Sequence, residues 1–304
     1  MPVIILADNG STRASATLQL RKLASSLGNR VQQQVHAVSF QHANKIPLQE
    51  IDNKPADIFY DFMKLQLSKS ERDFILLPLF FGNSKALSSF VPENVKLLQD
   101  KFGPFKLRVA NVIYPLPYGE KLLSDIIVDH VINTAQQHQL PLNNLVLVDH
   151  GSPVPRVTEV RRHLAHSAQQ KLPGKTILEQ AVMERRAGKE YDFNGELLQN
   201  WLLAKARAGE KSAVVVLLFF LAGRHAGAGG DIAEICQSVN EKYPGFKIAI
   251  SPLISEHKNL ISILQTRLKD LSLADRLPCR GCTINCTNYN NCEGKPWRMS
   301  EDRS

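Results

Sequence analysis

The chain is written twice, and this duplication limits it to two units of like fold. An apolar run ending in Asp8-Asn9-Gly10-Ser11 recurs as one ending in Asp149-His150-Gly151-Ser152, an offset of 141 positions. The same offset carries Leu23-Ala24 onto Leu164-Ala165 and Gly82 onto Gly223. It also carries Lys101-Phe102-Gly103-Pro104-Phe105-Lys106 onto Lys242-Tyr243-Pro244-Gly245-Phe246-Lys247. Four segments holding one register mark an internal repeat rather than chance likeness. With 304 residues in all, each copy has the length of an ordinary domain.

Within each copy, short apolar runs alternate with amphipathic stretches. In the second copy the pattern predicts strands at 145–148, 177–183, 214–222 and 247–252, with helices at 157–172, 195–208, 231–243 and 260–273. Such β-α alternation implies a parallel sheet with helices on both faces. The strands are continuously apolar, as strands buried on both sides are. The expected fold class is therefore α/β: two flavodoxin-like parallel-sheet domains related by duplication, at 1–135 and 142–273. A polar linker is expected at 134–144, and a Cys-rich tail at 274–304 follows the second domain.

Hydrophobic residues make up 43% and charged residues 22%, so each copy has enough apolar material for a core. The opening residues carry no basic stretch followed by a long apolar one, so no secretion signal is expected and the cytoplasm is the expected compartment. No apolar run approaches the roughly 20 residues of a membrane span. The net charge of +8 suits an acidic partner, whether nucleic acid, an anionic surface or a polycarboxylate. The basic residues are scattered, without the stripe or tail of a nucleic-acid binder. Neither nucleic acid nor membrane is therefore the expected partner, and the oligomeric state is left open.

Ligands of open parallel sheets bind beyond the carboxyl ends of the strands. In the second copy those ends carry His150, Glu184 and His225. Two imidazoles and a carboxylate can ligate a divalent metal and move protons near neutral pH. The first copy has Asn9 where the second has His150, and Ser84 where it has His225, while His42 lies against Glu184. A purely structural role predicts retention in both copies. The divergence instead points to one copy that keeps the chemistry and one that has become scaffold.

Asp149-His150-Gly151-Ser152 with Leu164-Ala165, Ala181-Val182-Met183-Glu184, and Leu218-Phe219-Phe220 followed by Gly223, His225 and Asp231-Ile232 resemble the small class II chelatases of the CbiX/SirB group. The resemblance spans roughly residues 1–270. It implies insertion of Co²⁺ or Fe²⁺ into sirohydrochlorin, a polycarboxylate tetrapyrrole, toward cobalamin or sirohaem. It maps the family's metal-handling and catalytic residues onto His150, Glu184 and His225. In one respect the chain departs from the long members, since its active residues stand in the second copy. Given such a substrate, Ser152, Arg13, Arg156 and Arg224 are expected to bind its carboxylates, with Arg185 and Arg186 nearby. Taken singly, each of these arginines reads first as solvated surface charge.

Cysteine usage adds a separate feature. Cys279, Cys282, Cys286 and Cys292 crowd the tail, at a spacing compact enough for an iron–sulfur cluster, with zinc as the alternative. Cys236 stands apart on an amphipathic stretch and reads as a core thiol. The alternative to an enzyme is a non-catalytic carrier of tetrapyrrole or metal, consistent with the ligands lost from the first copy.

Overall fold

The computed structural model describes residues 1–82, 84–115, 121–174 and 176–271. Among the described residues the chain divides into two compact units, 1–115 with 261–271, and 121–260.

Unit 1 is built on β1 (Val3–Asp8), β2 (Val35–Ser39), β3 (Asp57–Ile58), β4 (Asp73–Pro78) and β5 (Lys106–Val109). Its helices are α1 (Ala14–Val31), α2 (Phe59–Ser68) and α3 (Val91–Phe102). The strands are all parallel, in the order β3-β2-β1-β4-β5. Ile5, Leu6, Phe74, Leu76 and Leu77 are fully buried, because helices cover both faces of the central strands.

Unit 2 repeats this plan with β6 (Leu145–Asp149), β7 (Leu178–Val182), β8 (Glu196–Leu197), β9 (Ser212–Leu217) and β10 (Lys247–Ile250). These parallel strands run in the order β10-β9-β6-β7-β8, the same topology as in unit 1. Setting aside the two-residue edge strands β3 and β8, the long strands follow the doubly wound order of flavodoxin-like sheets. Helices α5 (Pro155–Gln169), α6 (Leu198–Arg207) and α7 (Asp231–Lys242) complete the alternation. Cys236 on α7 is 4% exposed, and burial pushes its thiol up to about 12, so it is the inert core residue expected.

The compact units are cut differently from the repeats. Helix α4 (Lys121–Gln137), which ends the first copy, falls in unit 2 and packs on α5, β9 and β10. Helix α8 (Asn259–Lys269), which ends the second copy, lies from Ile261 in unit 1. There Arg267 donates from Nη2 to the carbonyls of Ile113 and Pro115. Each copy thus lends its last helix to the other unit. The expected linker at 134–144 begins inside α4, whose residues Thr134 and Ala135 are buried. Among the described residues no helix is long and apolar enough to cross a membrane.

One buried titratable group in unit 2 has a measurable consequence. His130 on α4 is 4% exposed, and its Nδ1 has no hydrogen-bond partner among the described residues. Burial, reinforced by neighbouring His257 and opposed by Asp129, holds its pKa down at about 4. The folded protein therefore keeps His130 neutral, while the unfolded chain takes up a proton below about pH 6.5. Its contribution is complete above that pH and is lost progressively as pH falls toward the folded value. Between about pH 7.5 and about pH 5 the loss is about 2 kcal/mol. Urea unfolding at the two pH values tests this: the acid-side loss should be smaller by that amount in His130→Leu. An unchanged slope would remove His130 from the account.

Candidate metal-handling site

The rim of unit 2 is assembled by backbone hydrogen bonds that run past the ends of the strands. Met183 N donates to Asp149 O at 2.9 Å and Glu184 N to His150 O at 3.1 Å, which fixes His150 beside Glu184. The chain then turns at Gly151, whose φ is +90°. A Cβ there would lie 2.0 Å from Glu184 O, so the close approach of the two strand ends requires glycine. The same geometry recurs at Gly10 against Gln41 O, which explains the glycine of both copies.

On this frame His150 Nε2 stands 3.2 Å from Glu184 Oε1. Its Nδ1 lies 2.9 Å from Gly151 O. A carbonyl only accepts, so Nδ1 carries the proton, and in the neutral ring Nε2 keeps its lone pair. Two acceptors facing each other at this distance call for a proton or a cation between them. The His225 ring meets that of His150 edge-on, with centroids 4.4 Å apart. His225 Nδ1 lies 2.6 Å from Asp231 Oδ2, so Nδ1–H donates to the carboxylate and Nε2 is left as the second available lone pair.

The loop carrying His225 is secured by the helix that follows. Asp231 N donates to Arg224 O at 3.2 Å and Ile232 N to His225 O at 3.1 Å. These bonds satisfy first-turn N–H groups of α7 with loop carbonyls. The two imidazoles follow β6 and β9, between which the strand order reverses. That reversal is where doubly wound sheets open a crevice. As they stand, no three His, Cys, Asp or Glu among the described residues converge on one ion. Side chains of His150 and Glu184 are 44% and 62% exposed, so rotation to close around a metal meets little packing.

The remaining sequence candidates divide. Arg224 is exposed at the same rim, its Nε 3.9 Å from Asp231. Arg156 is exposed in the first turn of α5. Arg13 precedes α1 in unit 1. Arg185 is tied to Asp192 at 3.0 Å and to Gly195 O at 3.2 Å, and Arg186 lies over the ring of Tyr191. Ser152 Oγ accepts from Val154 N at 3.0 Å, as Ser11 Oγ accepts from Arg13 N at 3.1 Å in the other copy. This turn is common to both copies and organises the entry to the helix. Its hydroxyl proton stays available to a ligand. Cys279, Cys282, Cys286 and Cys292 lie outside the described residues.

Two matches between the copies are corrected by hydrogen bonding. Gln41 N donates to Asn9 O just as Glu184 N donates to His150 O, so the counterpart of Glu184 is Gln41, not His42. The connection from α5 to β7 is longer than that from α1 to β2, which shifts the register. His42 instead has φ +68° and heads a 3₁₀ turn. At the third strand, Leu79 N donates to Ala7 O and Leu218 N to Val148 O. Ser84 and His225 are therefore at different distances beyond their strands, and Ser84 leads into a π-helical turn, Ala86–Phe90, that the second copy lacks.

Sequence reasoning missed the groups beneath the rim. Arg161 is 2% exposed and reaches Asp149 Oδ1 at 2.5 Å and Asn194 O at 2.5 Å. A signal was present: Arg161 interrupts the buried stripe of Thr158, Ala165 and Ala168 on α5. Its match in the first copy is buried Leu20.

Two parallel five-stranded sheets with interleaved helices make a chelatase-like α/β fold. The CbiX family model matches residues 144–271, which lie in the second copy. SirB from Bacillus subtilis with Fe³⁺ shares the fold at a TM-score of 0.62 and 12% identity, over 89% of this chain and 96% of that one. SirB of the subspecies spizizenii, in complex with cobalt, gives 0.60 and 12% over 89% and 95%. CbiX, described as the terminal enzyme of sirohaem biosynthesis in denitrifying bacteria, gives 0.56 and 16% over 88% and 98%. No curated protein matches the sequence significantly.

Proposed function

We propose that this chain is a cytoplasmic chelatase that inserts Co²⁺ or Fe²⁺ into sirohydrochlorin or a related polycarboxylate tetrapyrrole, for cobalamin or sirohaem synthesis. The observation that carries the reading is the pair of facing acceptors, His150 Nε2 and Glu184 Oε1 at 3.2 Å, beside a second imidazole. Insertion requires a metal to shed water and a macrocycle to lose two pyrrole protons. Nε2 of His150 and of His225 supply lone pairs for either task, and Glu184 neutralises metal charge and relays protons outward. Asp231 holds the His225 ring in the tautomer that leaves Nε2 free. The CbiX family match and the metal-bearing SirB structures support the substrate class.

In this reading the copy at 142–273 does the chemistry and the copy at 1–135 is scaffold. Arg224, Arg156 and Ser152 engage substrate carboxylates, the arginines through two-pronged hydrogen bonds. The test is the absorbance change of sirohydrochlorin mixed with catalytic amounts of protein and a panel of divalent metals. Insertion should exceed the uncatalysed rate for Co²⁺ or Fe²⁺. In Arg224→Ala, KM for the tetrapyrrole should rise about fivefold with kcat little changed, the mark of lost uniform binding. Spectral shifts that stop at bound, metal-free tetrapyrrole would instead establish a carrier.

A further inference from the structure

Each copy places an aspartate at the carboxyl end of its central strand, half-buried in unit 1 and buried in unit 2, but gives it a different partner. In unit 1, Ser39 Oγ donates to Asp8 at 2.7 Å. Strand register puts Val182 opposite Asp149 where Ser39 stands opposite Asp8. Asp149 is met instead by the guanidinium of Arg161 at 2.5 Å. Burial raises the pKa of both carboxyls, and only at Asp149 does a neighbouring cation oppose it.

The contacts of Arg161 enclose the loop that carries His150. Asp149, the residue before His150, accepts from Arg161 Nη1 and, at 3.2 Å, from Gly151 N. Arg161 Nη2 donates to Asn194 O. The fully buried Asn194 side chain accepts from Ser152 N at 2.9 Å and donates to Ser152 O at 2.9 Å. Thr158 Oγ1 adds a bond to Asn194 Oδ1 at 3.2 Å. One buried cation therefore fixes the chain on both sides of His150.

The neighbouring arginine provides an internal control. Arg162 Nη2 donates to Phe193 O at 2.8 Å, and its match in unit 1, Arg21, donates to Lys54 O at 2.7 Å. Both copies keep this tie between the first helix and the loop before the edge strand, so the tie serves the fold. Arg161 is present only in the copy with the imidazoles. A buried charge pair is costly to desolvate, and leucine fills the same place in the other copy. We infer that Arg161, acting through Asp149 and Asn194, is a positioning residue that holds His150 in its working orientation. The kinetic part of this inference rests on the proposed insertion activity.

The test grafts the unit 1 solution into unit 2. The double variant Arg161→Leu with Val182→Ser recreates the pairing of Leu20 and Ser39, which a folded unit already accommodates. Its kcat should fall by about tenfold or more, with KM for the tetrapyrrole within about twofold, because displacement of a reacting group costs rate rather than substrate affinity. Arg161→Lys, which keeps the charge but one arm only, should recover part of the loss. Arg162→Leu should lower stability and leave kcat near that of the parent. In proton–nitrogen NMR of the metal-free protein, the His150 ring resonances should move in the double variant and stay in Arg162→Leu. Parental kcat and unmoved His150 resonances in the double variant would overturn the inference, as would an equal kcat loss in Arg162→Leu. If the parent inserts no metal, the functional proposal fails, and the NMR comparison still decides the role of Arg161.

Discussion

On the proposed function, replacing His150 or His225 with alanine should lower the rate of metal insertion by about a thousandfold, with the melting temperature within a few degrees of the parent. Removal of either imidazole deletes one of the two Nε2 lone pairs that the rim presents. What remains is a carboxylate and a single nitrogen, too few to take a metal from water and strip the macrocycle's protons. Stability is spared because the His150 side chain is 44% exposed and that of His225 31%, so neither fills core space. The first copy supplies the matched control. Asn9 and Gln41 occupy the places of His150 and Glu184, and their replacement by alanine should change the initial rate by no more than about twofold. Initial rates from absorbance with sirohydrochlorin and Co²⁺ read all four variants. Full activity in both histidine variants would place the chemistry elsewhere, and equal losses in the first copy would end its role as scaffold.

Gly151→Ala should lower stability strongly. Alanine at φ +90° is strained, and its Cβ would sit 2.0 Å from Glu184 O, a backbone atom that cannot swing aside. Together these cost about 3 kcal/mol or more, and any relief separates the ends of β6 and β7. His150 then moves away from Glu184, so insertion per folded molecule should fall as well. Gly10→Ala meets Gln41 O at 1.7 Å and should destabilise by a similar amount, yet retain insertion per folded molecule. Urea unfolding with parallel activity measurements distinguishes the two. A Gly151→Ala protein as stable as the parent would contradict the close-approach account.

Much of the architecture is legible in the sequence because duplication prints the same apolar strands and turns twice. Asp149, Gly151 and the apolar run ahead of them place β6 correctly, and strand-end logic then nominates His150, Glu184 and His225. The edge strands β3 and β8 escape notice because two residues beside a helix carry no period. The exchange of α4 and α8 is invisible for a different reason: an amphipathic helix displays the stripe it buries, not the sheet that receives it. The strand expected to reach 222 ends at Leu217, since an apolar run does not tell where backbone pairing stops. The match of Glu184 to His42 fails because a fixed offset ignores the longer connection before β7, which only hydrogen bonds reveal. Arg161 was overlooked because arginine ordinarily lies at the surface, although a charge within an apolar stripe and opposite leucine in the sister copy marks an exception.

The central claim is that the second copy is a working catalyst and not the remnant of one. Counting product molecules per chain, with sirohydrochlorin and Co²⁺ or Fe²⁺ each in large excess over protein, tests it most directly. The account predicts continued metallation through many turnovers at a rate that rises in proportion to protein, and its collapse in His150→Ala. Product that halts at one metallated or bound tetrapyrrole per chain, unchanged by His150→Ala, would contradict it.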